Sequence, residues 1–191
     1  MRYNREALEA KVVDSLIGEK LKEVYYDIDY EGFIPFFQLF PNVQEIPTSA
    51  ILIETDSGKF ISVISTDYAP YYGYLSGIDI SVDIKKSYNR PSHITENAWS
   101  AFSNRRILEV AIIESSTVVD NNRIVLPFGL KLKFEEENTL YIFDLGIEDY
   151  IEEEGLYELR VGGALTIFFN EEAVKGHSVL SLTDLKTYSN S

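Results

Sequence analysis

The chain of 191 residues carries 31 acidic and 17 basic side chains, so its formal net charge is −14. Such an excess of carboxylates repels phosphate backbones and argues against a nucleic-acid-binding protein. The absence of cysteine excludes disulfides and thiolate chemistry. The charged N-terminal segment has no signal-peptide core, and no run of about eighteen apolar residues spans a bilayer, so we expect a cytoplasmic protein.

The first predicted elements are a helix over residues 5–17 and a strand over residues 21–30. Apolar residues recur at helical spacing in the first segment and alternate with polar ones in the second. Asn4 is the predicted N-cap of the helix, and Gly18 is predicted to end it in the left-handed conformation.

Residues 31–48 are predicted to form an apolar loop, because three prolines interrupt any strand ladder there: Pro35, Pro41 and Pro47. A β-hairpin follows over residues 49–65, and Gly58 supplies the positive φ of its turn. A tyrosine-rich loop over residues 67–77 then leads to a strand that alternates cleanly over residues 78–84.

The same order of elements is predicted again from residue 94. A helix over residues 94–103, a strand over residues 107–114 and a hairpin over residues 130–144 are followed by a strand that Gly163 begins. Asn138 is the predicted left-handed residue of the second turn. Corresponding residues are 86 apart at three places and 81 apart in the hairpin: Gly18/Asn104, Val24/Val110, Gly77/Gly163 and Ile61/Ile142.

We therefore predict an α+β fold that is predominantly antiparallel β. Two pseudo-symmetric repeats (about 5–90 and 94–178), each of one helix plus about four strands, would share one core in a single domain over residues 1–191, followed by a short C-terminal tail. The alternative is two β-meanders that merely resemble one another.

Catalytic and metal-binding signatures are weak in this sequence. His93 and His177 lie in no metal-ligand spacing and are predicted to be surface residues, so neither a metal nor a cofactor is expected. Two carboxylate pairs alternate along strands, Asp27 with Asp29 and Asp79 with Asp83. Such pairs suit the hydrolysis of a sugar, but they also mark the solvated face of a sheet.

The stretch from residue 135 to residue 154 contains nine carboxylates and no lysine or arginine. Interleaved aromatic rings make it a candidate socket for a basic protein, and the tyrosine-rich loop is the candidate second half of that surface. The alternative is a solvated loop. The predicted partner-binding residues are Tyr68, Tyr71, Tyr72, Tyr74, Glu148, Asp149, Tyr150, Glu152, Glu153 and Glu154.

The chain contains, in this order, a helix, the strand IGEKLKEV, the hairpin I-x-x-D-S-G-K-F-I-S and the segment TIFFNEE. In this order of elements it resembles small bacterial immunity proteins of polymorphic toxin systems. The resemblance covers about residues 13–172. It implies a non-enzymatic protein that binds and blocks a toxin, with no catalytic residues. Two other functions stay open: a carbohydrate-processing or small-ligand protein that uses the paired Asp residues in an aromatic cleft, and a structural protein of an assembly.

Overall fold

The computed structural model describes residues 4–27, 37–40, 42–47, 50–67, 76–82, 92–94, 97–119, 121–151, 156–175 and 186–189. Their elements are, in chain order, α1 (Arg5–Leu16), β1 (Leu21–Asp27), β2 (Phe37–Phe40), β3 (Val43–Pro47), β4 (Ala50–Thr55), β5 (Phe60–Asp67), β6 (Ser76–Val82), α2 (Asn97–Ser100), β7 (Ile107–Val119), β8 (Asn122–Phe134), a 3-10 turn (Glu135–Glu137), β9 (Thr139–Ile151), β10 (Leu156–Phe168), α3 (Glu171–Lys175) and β11 (Lys186–Ser189). No helix in this part of the chain is long and apolar enough to cross a membrane.

The strands form two antiparallel sheets. The first has the order β1-β4-β5-β6, and the second has the order β11-β7-β8-β9-β10-β3-β2. Within the described residues, each pairing between neighbouring strands is antiparallel. The prediction of a mostly antiparallel β fold with few helices is therefore confirmed, whereas the repeat remains a prediction.

One apolar core lies between the two sheets and includes α1. Alternating residues of β1, β4, β5, β6, β7, β8, β9 and β10 enter it, because successive side chains of a strand point to opposite faces. On β8, Leu132 and Phe134 are fully buried while Lys131 and Lys133 face the other way, as predicted. The core includes Val12, Leu16, Val24, Ile51, Ile53, Ile61, Val63, Ile78, Ile80, Val110, Ile112, Leu130, Leu140, Ile142, Leu165 and Ile167.

The predicted ends of α1 are confirmed. The Asn4 side chain accepts a hydrogen bond from the backbone N–H of Ala7 at 3.2 Å, so one of the free donors of the first turn has a partner. After the helix, Gly18 adopts a φ of 85°, a conformation that glycine tolerates without a steric cost. Gly58 likewise has a positive φ in the first hairpin turn.

The predicted loop over residues 31–48 is wrong in its second half, which forms β2 and β3. Pro47 is accommodated because it is the last residue of β3, opposite Ala164 of β10. Val43 and Ile46 of β3 are buried, which accounts for the apolar composition of the segment. Pro35 and Pro41 lie outside the described residues.

The second hairpin turn differs from its prediction. Asn138 has a φ of −70°, and the left-handed residues are Glu136 (φ 62°) and Glu137 (φ 61°). Both glutamates form ion pairs at the surface, with Arg105 and Lys133 respectively.

Two other element boundaries were predicted incorrectly. The helix expected over residues 94–103 is the four-residue α2, although Trp99 and Phe102 are buried as its apolar spacing indicated. The last strand starts at Leu156, and not at Gly163.

The starts of β1 and β7 meet in an antiparallel crossing. Its centre is an isolated bridge between Lys20 and Arg106, which are 86 residues apart. Four backbone hydrogen bonds flank the bridge, and they form two pairs whose members correspond by a shift of 86 residues. In the first pair, Gly18 N–H donates to Ile107 O (2.9 Å) and Asn104 N–H donates to Leu21 O (2.8 Å). In the second, Ile107 N–H donates to Glu19 O (2.8 Å) and Leu21 N–H donates to Arg105 O (3.1 Å).

Each hairpin turn is fastened to this crossing in the same way. The backbone N–H of Asp56 donates to Lys20 O at 3.0 Å, and Asp56 Oδ1 accepts from Lys20 N–H at 3.1 Å. Correspondingly, the N–H of Glu135 donates to Arg106 O at 3.0 Å, and Glu135 Oε2 accepts from Arg106 N–H at 3.2 Å. A row of backbone bonds therefore runs from one turn to the other.

Candidate functional site

A fully buried carboxylate, Asp144, lies between the two sheets. It follows Ile142 on the core face of β9. Ser65 Oγ on β5 donates to Asp144 Oδ1 at 2.5 Å, and Ser76 Oγ on β6 donates to Asp144 Oδ2. We call these three residues the Asp144 cluster. It connects the second sheet to two neighbouring strands of the first.

Asp144 lies at the point where β9 separates from β8 and where the register of β9 with β10 shifts. The pairing of β8 with β9 ends at Gly129 and Phe143, one residue before Asp144. The register of β9 with β10 also shifts here, between Val161 and Thr166. Thr166 Oγ1 donates to the Leu145 carbonyl at 2.7 Å, which satisfies an acceptor at the interrupted ladder.

The Asp144 cluster is best interpreted as a structural link. Two hydroxyl groups give both oxygens of this buried side chain a hydrogen-bond partner, and a buried polar group without partners would be costly. Since the exposed fraction of Asp144 is 0%, it cannot touch a substrate from solvent in this conformation. The cluster therefore links the two sheets through the side chain of Asp144.

A second buried polar group surrounds Tyr26 on β1. The Tyr26 hydroxyl donates to Gln44 Oε1 at 2.7 Å and accepts from Trp99 Nε1 at 2.5 Å. The ring of His93 stacks on Tyr26 with centroids 4.1 Å apart. All four side chains are buried, and they join β1, β3, α2 and the segment before α2.

The prediction that His93 is a surface residue is wrong. Its backbone N–H donates to Val24 O at 2.8 Å, so residues 92–94 lie beside β1 and the ring is carried onto Tyr26. His177 lies outside the described residues. Within the described part of the chain, no group of three or more His, Asp, Glu or Cys side chains is placed to hold a metal ion.

Most of the predicted partner-binding residues lie outside the described residues: Tyr68, Tyr71, Tyr72, Tyr74, Glu152, Glu153 and Glu154. For Glu148, Asp149 and Tyr150 only the backbone is described, and it lies in β9, where Asp149 pairs with Glu158 and Tyr150 with Tyr157. The alternative interpretation of residues 135–154 as a loop is therefore wrong for most of its length.

The paired aspartates are only partly described. Asp79 is half-buried, and its Oδ1 accepts a hydrogen bond from the N–H of Ile80 at 2.9 Å. Asp27 is described in its backbone alone, while Asp29 and Asp83 lie outside the described residues. In neither pair, therefore, are the side chains of both members among the described residues.

Ion pairs hold at least seven of the chain's 17 basic side chains. Hydrogen bonding to Glu54 raises the pKa of Lys22, and hydrogen bonding to Glu137 raises the pKa of Lys133. The pairs are Lys22–Glu54, Lys59–Glu19, Arg105–Glu136, Arg106–Glu135, Lys131–Glu109, Lys133–Glu137 and Lys175–Glu171.

Sequence reasoning missed the two buried clusters. It counts Asp144 only as one of nine acidic residues, although its even spacing after Leu140 and Ile142 places it on the core face. It places Tyr26 and Trp99 on buried stripes, but their hydrogen bond joins residues 73 positions apart and has no local signal.

Comparison of the chain with protein-family models, with curated proteins and with solved structures finds no match. The class of protein and its partner are therefore inferred from the charge, burial and strand pairing of the chain itself.

Proposed function

We propose that the protein is a non-enzymatic binding module that acts in the cytoplasm and neutralises a basic protein, in the manner of an immunity protein. Its net charge of −14 favours a cationic partner. The two buried clusters support the non-enzymatic assignment, because their polar groups bond to one another inside the core.

The observation that carries the proposal is the distribution of basic side chains. Setting aside the seven ion pairs leaves 24 acidic against 10 basic side chains in the rest of the chain. An acidic surface in which many cations are already paired attracts a basic protein over a distance and accelerates the encounter.

The hairpin of β9 and β10 is the proposed contact surface. Its two strands pair from Leu145 and Val161 to Ile151 and Leu156. Glu148 and Asp149 belong to this hairpin, and the sequence continues with three glutamates at residues 152–154. Carboxylates concentrated on one hairpin provide the directional charge that a basic surface recognises.

The test first asks whether the neighbouring gene encodes a basic protein, and a neighbouring gene with no such product counts against the proposal. The association of that basic protein with the purified chain is then measured by stopped flow. We expect the association rate to fall about tenfold or more between about 0.05 and 0.5 M salt. Glu148→Lys combined with Asp149→Lys is expected to slow association at low salt. Glu6→Lys combined with Asp14→Lys, at two exposed positions of α1, is the control with the same change in net charge. A rate that is independent of salt, or equal losses in both variants, would refute the proposal.

We also propose that the two halves of the chain are copies of one unit. The orders β1-β4-β5-β6 and β7-β8-β9-β10 correspond, and so do the hydrogen bonds of the crossing and of the turns. The hairpin turns close alike, with Thr55 N–H donating to Lys59 O (3.0 Å) and Phe134 N–H donating to Asn138 O (2.8 Å).

Exchange of the two turns tests this duplication. A chain in which residues 56–58 and 135–137 are swapped is expected to melt within a few degrees of the parent. A chain with three alanines at either turn is the control, and it is expected to be less stable because both turns need positive φ. A swapped chain that is no more stable than the alanine control would contradict the proposal.

A further inference from the structure

Within the described residues, the outer edge of β7 is paired with another strand over only part of its length. On one side, β8 pairs with β7 from Ile107 to Val119. On the other side, β11 is the one strand present in the described part of the chain, and it pairs with Glu109–Ile112 alone, four of the 13 residues of β7.

An edge of this kind needs a cover. Unpaired N–H and C=O groups along a hydrophobic strand attract other strands, and Val110, Ala111 and Ile112 are all buried. The four residues Lys186–Ser189 cover the part of the edge from Glu109 to Ile112. The β7 edge therefore accepts an added antiparallel strand in a defined register.

The segment that covers the edge follows α3 after a long connection. Ten residues, 176–185, separate α3 from β11 in the sequence. Ten extended residues span about 33 Å, which is enough to carry a strand across to an adjacent molecule.

We propose that the β7 edge is a strand-acceptor site and that the segment Lys186–Ser189 of a second copy occupies it in exchange for the chain's own segment, giving a two-fold dimer. The second copy is the expected occupant because its segment forms the same four residue pairs in the same register. Exchange of identical elements makes no new contacts and loses none, so the balance depends on protein concentration. The effective concentration of a tethered segment is on the order of millimolar, so exchange is expected as the protein approaches that range.

The absence of cysteine from the chain permits a direct test. Thr187 lies opposite Ala111 in the pairing of β11 with β7. One sample of Ala111→Cys and one of Thr187→Cys are mixed at about millimolar concentration, incubated, diluted and oxidised. A disulfide between the two variants requires that the strand of one copy lies on the edge of the other. Ser115→Cys mixed with Thr187→Cys is the matched control, since Ser115 lies on β7 beyond the four paired residues.

We expect the first mixture to give at least tenfold more covalent heterodimer than the control, and more as the incubation concentration rises. Equal yields in the two mixtures, or a yield that does not change with concentration, would overturn the proposal.

Backbone substitutions separate strand exchange from simple contact between two edges. Thr187→Pro with Tyr188→Pro removes backbone donors from β11, whereas Thr187→Val with Tyr188→Phe keeps them. Sedimentation equilibrium is expected to show dimers for the parent and for the Val/Phe variant, with dimerisation weakened at least tenfold in the proline variant. Equal or stronger dimerisation of the proline variant would mean that uncovered edges pair directly, and would overturn the proposal. The proposal would also be overturned if a different protein paired with β7 while the parent chain remained monomeric.

Discussion

The backbone of Lys20 pairs with the backbone of Arg106 at the point where the starts of the two sheets cross. Each of these residues also bonds to a hairpin turn, Lys20 to Asp56 and Arg106 to Glu135. The crossing therefore holds both hairpin turns in place relative to the starts of β1 and β7. The contribution of the crossing to the free energy of unfolding can be measured by substituting its first two residues, Gly18 and Asn104.

Gly18 and Asn104 are the first residues of the crossing, and both have positive φ (85° and 57°). Gly18→Ala and Asn104→Ala are each expected to lower the free energy of unfolding by about 1–2 kcal/mol, because a Cβ is disfavoured in this region. Asn104→Gly is the control and should stay within about 0.5 kcal/mol of the parent. Urea denaturation measures all three, and equal stability of Asn104→Ala and Asn104→Gly would contradict the prediction.

The Asp144 cluster predicts a large effect from small changes at the serines. Ser65→Ala or Ser76→Ala removes a hydroxyl donor from a buried carboxylate, so each is expected to cost about 1.5–3 kcal/mol. Ser103→Ala, at an exposed position, should change stability by less than about 0.5 kcal/mol. Chemical denaturation provides the comparison. Serine variants as stable as Ser103→Ala would show that the carboxylate does not depend on these donors.

The Tyr26 hydroxyl serves two buried partners, so its removal is expected to be costly. Tyr26→Phe takes an acceptor from Trp99 and a donor from Gln44, which we expect to destabilise the fold by about 2–4 kcal/mol. Tyr25→Phe loses a longer bond to Glu54 (3.3 Å) at a half-buried position and should cost less than about 1 kcal/mol.

Trp99 is the single tryptophan of the chain, so its fluorescence reports unfolding in both tyrosine variants. A Tyr26→Phe protein as stable as Tyr25→Phe would contradict the proposed role of the hydroxyl.

Glu19 predicts a pH dependence of stability. Burial raises the pKa of Glu19, but hydrogen bonds from Lys59 and Ser57 and the charge of Lys59 outweigh it and hold the pKa at about 2, against 4.5 ordinarily. Because the folded-state pKa is the lower one, this stabilisation is fully present above about pH 5 and is lost as the pH falls towards 2.

The comparison of Glu19→Gln with the parent isolates this contribution. The stability difference between the two proteins is expected to shrink between pH 5 and the lowest pH at which both remain folded, as measured by urea denaturation. Glu6→Gln, at an exposed position of α1, serves as the control. A difference that stays constant with pH would be inconsistent with the lowered pKa.

Gly129 leaves room for a ring on the neighbouring strand. It pairs with Phe143, and a Cβ at Gly129 would lie 2.3 Å from Phe143 Cδ1. Phe143 is fully buried beside Phe128 and Phe168, so it has little freedom to move. Gly129→Ala is therefore expected to cost about 1–3 kcal/mol.

A double-mutant cycle with Phe143→Leu tests that cause. If the ring is the obstacle, Gly129→Ala costs at least about 0.5 kcal/mol less in the Phe143→Leu background than in the parent. An additive double variant would assign the cost to the backbone of β8 instead.

Local patterns predicted those parts of the fold that local chemistry determines. Asn4 as the cap of α1 and the positive φ of Gly58 depend on a few neighbouring atoms, and the alternation along β8 depends on one sheet face. These features are readable because the determining residues lie within a few positions of one another.

The failures share a non-local cause. The prolines of residues 31–48 predict a loop, whereas β3 is a strand because Val43 pairs with Phe168 of β10, which is 125 residues away. Glu136 takes the left-handed conformation in a turn that an ion pair with Arg105 supports. Asp144 meets Ser65 and Ser76 from 79 and 68 positions away, so no window of sequence contains the cluster.

The crossing of residues 18–21 with residues 104–107 also determines when the protein can complete its fold during synthesis. At about 5–20 residues per second, a ribosome needs roughly 4–17 seconds to add the 86 residues between Lys20 and Arg106. Until then β1 can pair with β4, but the start of β1 lacks its backbone partners in the crossing. The amino-terminal half is therefore exposed to chaperones and proteases for a period that translation speed determines.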